Sequence, residues 1–258
     1  MEAQSKESFA SRAAAAAQVF VEDPASPVLS PKDVHHLARV LRLRAGERVV
    51  ASDGRGAWAE CIVAVPPGSG AVVLERTSSV CMEEPATPTL LVAFSLVKAA
   101  RPEWIVQKLT ELGIDVIVPI ETDRCVARWR SGAFERIERL RRIALEAAAQ
   151  CRRVWLPEIR GVATLEDLMS YPEALALAHH DGVAPSLSFP AVAVGPEGGW
   201  SPRELDLGLP RVRLGTPVLR AETAAITAGA LLAALRSGVV EEARAPVSSG
   251  PDRHARRL

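Results

Sequence analysis

Apolar and polar positions change rhythm once along the chain. Up to about residue 80 the apolar residues fall in short alternating runs: Gln18–Val21, Arg48–Ser52, Ala57–Val65 and Ala71–Glu75, with Asp53-Gly54 and Pro66–Gly70 between them. Period-two runs bounded by turn residues predict a small β-rich unit. One helix interrupts it. Ser30-Pro31-Lys32-Asp33 supplies an N-cap serine, a first-turn proline and an acid three residues on, so a helix is expected from there to about Leu43. Leu37, Val40 and Leu41 would share its apolar face, with His35, Arg39 and Arg42 opposite.

Beyond a Pro- and acid-rich linker at Glu83–Pro88, continuous apolar runs alternate with segments of helical period. Strands are expected at Leu90–Ser95, Asp115–Ile120, Ala174–Ala178, Ala191–Val194 and Arg211–Leu214. Helices are expected at Pro102–Leu112, Phe134–Cys151, Leu165–Met169, from Ser201, and at Glu222–Arg236. Such alternation predicts an α/β unit, a parallel sheet covered on both faces. The domains are expected at 18–80 and 89–238, with 1–17 and 241–258 disordered.

Length and charge narrow the class. The chain has 258 residues, 48% hydrophobic, with 31 basic and 31 acidic side chains. A core is well supplied, and a polyanion binder that works by bulk charge is excluded. The apolar runs are too short or interrupted to span a bilayer, and no signal peptide opens the chain, so a cytoplasmic location is expected. Cys61, Cys81, Cys125 and Cys151 have no C-x-x-C spacing, and the five histidines show no metal-binding spacing; free thiols and no metal are expected. Charge is uneven locally. Residues 35–55 hold five arginines against two acids, and 122–142 hold seven against three. Either island is a solvated face or a contact for RNA phosphates.

The most specific local feature is Gly195-Pro196-Glu197-Gly198-Gly199, after a buried strand and before a capped helix. Ligands of open α/β sheets bind outside the carboxyl ends of strands. Leu214-Gly215 repeats the strand-then-glycine pattern, so two loops can form one pocket. No dinucleotide fingerprint, P-loop or nucleophile elbow is present. Arg220, Glu222 and Thr223 follow the second loop. They form either a reaction centre or a helix start with a favourable acid.

Several segments stand in the order and spacing of one family: Lys108–Gly113 (KLTELG), Gln150–Pro157 (QCRRVWLP), Val194–Gly199 (VGPEGG) with Glu204, and Leu214–Thr223 (LGTPVLRAET). Over residues 18 to 236 the chain resembles the ribosomal RNA small subunit methyltransferase E family of the SPOUT class. His36–Arg42 with Asp53-Gly54 is similar to that family's PUA-like RNA-binding domain. Three departures stand out: Lys98-Ala99-Ala100 where the family has Lys-Gly-Asp/Glu, Ala149 where it has Glu, and Thr216-Pro217 after Leu-Gly.

The resemblance implies a trefoil-knotted C-terminal domain with a small N-terminal PUA-like β-barrel, and S-adenosylmethionine (SAM) as co-substrate. Gly195, Pro196, Glu197, Gly198, Gly199, Leu214, Gly215, Val218 and Leu219 would line the SAM site. His179 either borders it or is an ordinary strand-end histidine. The implied reaction is methylation of uracil N3 in 16S rRNA, on the assembled small subunit, by a homodimer. Arg220, Glu222 and Arg153 would be catalytic: the arginines against charge on the uracil oxygens, Glu222 as base. His36, Arg39, Arg42 and Arg124 would contact RNA. Two other readings use the same residues: methylation of another RNA such as tRNA, and a non-catalytic RNA-binding module.

Overall fold

The structure is a computed structural model that describes residues 10–66, 71–96, 101–129 and 131–242. The first unit holds β1 (Ala17–Phe20), α1 (Pro31–His35), β2 (Arg48–Ser52), β3 (Ala57–Ala64), β4 (Val73–Arg76) and β5 (Cys81–Met82). β1 lies parallel to β2, and β3 pairs antiparallel with β2, β4 and β5. Alternation along β3 sends Cys61 and Val63 into a core with Val19, Leu37, Val49, Ala51 and Leu74. Among the described residues no backbone ladder joins β1 to β4. Asp53 shapes the β2–β3 turn, its Oδ1 accepting from the N–H of Arg55 at 2.7 Å and of Ala57 at 3.0 Å.

Two expectations for this unit are corrected. The helix from Ser30 does not run regularly to Leu43. Ser30 caps it as expected, its Oγ accepting from Asp33 N–H at 3.1 Å. After His35 the backbone widens into a π-turn, His36–Val40, with Leu41 N–H bonding His36 O, and Arg42 ends it at φ 55°. The extra residue in that turn shifts the phase of the side chains. Leu37 is buried, whereas Val40 and Leu41 are exposed. The second correction concerns the segment before β1. Residues 10–13 form a helical turn, and Arg12 is buried, 2.6 Å from Glu83 and over the Trp58 ring. Of the C-terminal tail, 243–258 lie outside the described residues.

The second unit comprises β6 (Leu91–Ser95), α2 (Arg101–Glu111), β7 (Val116–Ile120), α3 (Ala133–Gln150), β8 (Glu158–Ile159), α4 (Leu165–Met169), β9 (Leu175–Val183), β10 (Ala191–Val194), α5 (Pro202–Leu205), β11 (Arg211–Val212) and α6 (Ala221–Arg236). All strands are parallel, in the order β11-β9-β10-β6-β7-β8. β6, β7 and β10 are buried along their whole length, as a sheet covered on both faces requires. α2, α3 and α6 bury Ile105, Leu109, Ile137, Leu140, Ala225 and Leu232 on one face. α4 and Trp200 cover the other. The chain steps outward from β6 to β8, returns to β9 and then inserts β10 between β9 and β6. That order sets the carboxyl ends of β6, β7, β9 and β10 side by side. β8 is a two-residue edge strand with too short an apolar run to stand out in the sequence.

The segment 152–156 joins the units. Arg152 Nη2 donates to Ala15 O at 3.0 Å and Ala16 O at 3.2 Å, and Gln18 Nε2 donates to Arg153 O at 2.7 Å. Gly56 N–H bonds Val154 O at 3.1 Å, and Leu156 N–H bonds Gly54 O at 2.9 Å. Trp155 Nε1 donates to Glu83 O at 2.8 Å, which ties the linker to the same junction. β5 extends the first unit to Met82.

Candidate active site

The loop after β10 is held in one shape from three sides. Gly199 N–H bonds Pro196 O at 2.9 Å, closing a turn in which Gly199 takes φ 68°. Gly195 lies under the Trp200 ring, so close that a Cβ there would sit 3.0 Å from it. Trp200 Nε1 donates to Ala178 O of β9 at 3.0 Å. Arg124 Nη1 donates to Gly198 O at 3.0 Å and Trp200 O at 3.1 Å.

The next residues tie this loop to the one after β7. Ser201 and Glu204 form a capping box at α5. Glu204 is 1% exposed, and both its oxygens are used: Oε2 accepts from Ser201 N–H at 2.7 Å and Oε1 from Asp123 N–H at 2.9 Å. Asp123 accepts from Ser201 Oγ at 2.5 Å and from Arg203 Nη2 at 2.8 Å. Those bonds, Arg203's above all, hold its carboxyl down at about 2.

The loop after β11 is more open. Leu214 and Leu219 are half-buried, Gly215 is exposed, and Val218 is 98% exposed. Arg220 is the N-cap of α6; its side chain is exposed and has no acidic partner among the described residues. Glu222 sits in the first turn of α6 with a side chain only 12% exposed. Arg101, at the start of α2, joins the two motifs: its Nη1 lies 3.3 Å from Glu197 Oε1 and its Nε 3.6 Å from Glu222 Oε1. The other oxygen of Glu222 is buried without a hydrogen-bond partner. Glycine loop, Arg220 and Glu222 thus share the carboxyl edge.

His179 is not a strand-end residue as expected: β9 runs on to Val183, which puts it mid-strand, bonded through Nδ1 to Asp181, which also takes Arg211 at 2.9 Å. Arg124 is exposed, but its guanidinium bonds backbone of the glycine loop, so it shapes that loop. His36, Arg39 and Arg42 are each exposed on the first unit. Lys98-Ala99-Ala100 lie outside the described residues. Among the described residues no cluster of His, Cys, Asp and Glu could hold a metal, and no helix is long and apolar enough to cross a membrane.

The structure sets Arg153 apart from the other expected catalytic residues of the same chain. Its Nη2 lies 3.0 Å from Asp115 Oδ1, and its Nη1 donates to Ile114 O at 2.7 Å and Thr110 O at 3.3 Å. Asp115 also pairs with Arg236. Asp115 precedes β7, so this cluster is at the amino edge of the sheet, the far end from Gly195–Gly199 of the same chain. Burial draws the Arg153 guanidinium below its ordinary range, against the pull of Asp115. Arg153 and Asp115 form a largely buried ion pair within the chain. Arg101, Asp123 and Trp200 are the residues that sequence reasoning missed.

Comparison with known proteins agrees with this architecture. The RNA methyltransferase domain family matches residues 83–233, and the RNA methyltransferase PUA domain matches 29–75. The ribosomal RNA small subunit methyltransferase E of Mycobacterium bovis is 34% identical over 214 residues, 75% of this chain and 80% of that protein. Its Synechocystis counterpart is 34% identical over 230 residues, 82% of this chain and 74% of that protein. A chain from Legionella pneumophila, described as a methyltransferase and solved with bound SAM, superposes with TM-score 0.71 at 28% identity, over 84% of this chain and 96% of that one. Fold and matched domains define an RNA methyltransferase with a PUA domain and a SPOUT-type catalytic domain. Within that class, the chain belongs to the ribosomal RNA small subunit methyltransferase E family.

Proposed function

We propose that this chain methylates N3 of a specific uridine in 16S rRNA, on the assembled small subunit, with SAM as co-substrate. The observation that carries the reading is the meeting of Gly195–Gly199, Arg220 and Glu222 at one sheet edge, with Arg101 between the two motifs. The glycine loops suit a bulky ligand. A Cβ at Gly199 would meet nothing within 4 Å, and one at Gly215 only Pro217 at 4.0 Å, so the backbone there is open to close approach. Gly195–Gly199 and Leu214–Leu219 would hold SAM, which supplies an electrophilic methyl group.

The residues of the chain have two tasks. Uracil N3 carries a proton and is a poor nucleophile until it loses it. Glu222 takes that proton; its carboxylate stands in the first turn of α6 beside Arg101, with part of the side chain exposed. Arg220 cannot act as base, because a guanidinium stays charged, and it faces the negative charge spreading onto the uracil oxygens. His36, Arg39 and Arg42 meet RNA phosphates.

The same reading includes a cytoplasmic homodimer. Val218, bare in a single chain, and the small outward residues Thr227, Ala230 and Ala234 of α6 favour cover by a second copy. Nucleoside mass spectrometry of rRNA from cells lacking the protein tests the function. Loss of 3-methyluridine from 16S rRNA is expected. Unchanged 16S rRNA with altered tRNA would move the activity to another RNA.

A further inference from the structure

A second concave site lies between the two units, beside β1, α1 and the last turn of α3. Its position follows from the topology. α3 leaves the carboxyl edge after β7 and delivers its C-terminus to the amino edge, where β8 begins. The cleft is therefore at the other end of the sheet from Gly195–Gly199 of the same chain.

Two side chains that line this cleft carry buried polar atoms without a hydrogen-bond partner: Gln18 Oε1 and Arg152 Nε. Gln18 is only 5% exposed, and its amide nitrogen is already committed to Arg153 O. Its oxygen is thus a fixed acceptor. Arg152 spends Nη1 and Nη2 on backbone carbonyls, which leaves Nε–H as a fixed donor. Buried polar atoms are ordinarily satisfied, and an acceptor and a donor orphaned in one cleft point to something bound there. Phe20, Leu41, Leu145 and Ala149 add apolar wall, and Gln150 adds a second amide. Charge is balanced: Lys32 and Arg152 face Asp33 and Glu146, with Lys32 Nζ 3.0 Å from Glu146 Oε1. A neutral lining does not select a phosphate. It suits a flat, uncharged ring with a donor and an acceptor on its edge. His36 lines the cleft, Arg39 stands exposed on the same π-turn and Arg42 just beyond it, where the phosphates of an attached strand would lie.

We infer that this cleft binds one unpaired nucleobase of the RNA substrate, at a nucleotide other than the one methylated. The inference rests on the RNA reading above. Unstacked bases are commonly held by an aromatic face and edge hydrogen bonds; here Phe20 or His36 supplies the face and the Gln18–Arg152 pair the edge.

The test uses the full chain and 16S rRNA transcribed with 4-thiouridine, crosslinked by light and mapped by mass spectrometry. Crosslinks to Phe20 or His36 are expected. Ala149→Trp, which fills the cleft, should abolish them and weaken RNA binding about tenfold, with SAM affinity unchanged. Crosslinks confined to other surfaces would overturn the inference. So would wild-type RNA affinity in Ala149→Trp, which would leave the cleft to water. If free 4-thiouridine monophosphate labels the cleft and RNA does not, the occupant is a mononucleotide and RNA is excluded. Methyl transfer to 16S rRNA, measured on the same preparation, separates the two claims. Transfer without a cleft crosslink sinks this inference alone, whereas no transfer to any RNA sinks the functional reading.

Discussion

Arg101 Nε lies 3.6 Å from Glu222 Oε1, and the same guanidinium reaches Glu197. One cation at the start of α2 therefore holds two carboxylates from separate motifs in a common arrangement. Arg101→Gln should lower the methyl-transfer rate about tenfold, equivalent to about 1.4 kcal/mol of barrier. Arg101→Lys should recover part of that loss. The pair is partly exposed, so the melting temperature should barely move. Single-turnover rates beside thermal melts check this; a large drop in melting temperature with an unchanged rate would make Arg101 a structural residue.

Arg220 and Glu222 should separate by pH. Arg220→Lys keeps a cation but loses the planar fork, and a rate loss on the order of 10²-fold is expected with SAM affinity intact. Glu222→Gln should be slow at neutral pH and recover partly at high pH, as the substrate's own ionisation replaces the base. If Glu222 only anchors the helix start, Gln should instead cost up to about 1 kcal/mol of stability with the wild-type pH profile retained. Methyl transfer across pH distinguishes these outcomes.

Neighbouring glycines should respond differently. A Cβ at Gly198 would make ordinary contact with Arg124 at 3.6 Å, so Gly198→Val should fold and lose SAM binding by filling the ligand's space. Gly195→Ala meets the Trp200 ring at 3.0 Å and should lower the melting temperature as well. Calorimetry with normal SAM affinity in Gly198→Val would remove the loop from the cofactor site.

Asp123 gives an acid-side signature. Its carboxyl is held at about 2 in the folded chain against an ordinary 3.8. A folded pKa below the unfolded one means stability that is fully present above about pH 4 and is lost as pH falls through about 2. Wild type and Asp123→Asn should therefore differ in stability at pH 5 and converge near pH 2. Parallel acid-denaturation curves over that range would show that the Arg203 and Ser201 bonds add nothing.

On the first unit, Arg39→Ala with Arg42→Ala should weaken RNA binding and leave SAM affinity alone. Each lost phosphate contact should flatten the log–log salt dependence by about 0.7–0.9. An unchanged slope would make both arginines ordinary solvated side chains.

Periodicity by itself located the alternating β unit, the change of rhythm after the linker and the α/β order, because burial on one face or both leaves a period of two, 3.6 or a continuous apolar run. Capping chemistry located Ser30 and Ser201 for the same local reason: an orphan N–H is satisfied within four residues. The glycine motifs and Glu222 were legible as short patterns. Tertiary structure decided the rest. The phase of the helix after His35 depended on a π-turn, which no apolar spacing encodes. Arg153 sits in a family motif of its own, Gln150–Pro157, and strand direction sends it to the edge of the sheet opposite Arg220 and Glu222 of the same chain, onto Asp115. Arg101, Asp123 and Trp200 became site residues only when β10 was inserted between β9 and β6, which sets loops distant in sequence side by side. Contacts of that kind depend on how strands are ordered across a sheet, and a linear pattern of polar and apolar residues carries no record of that order.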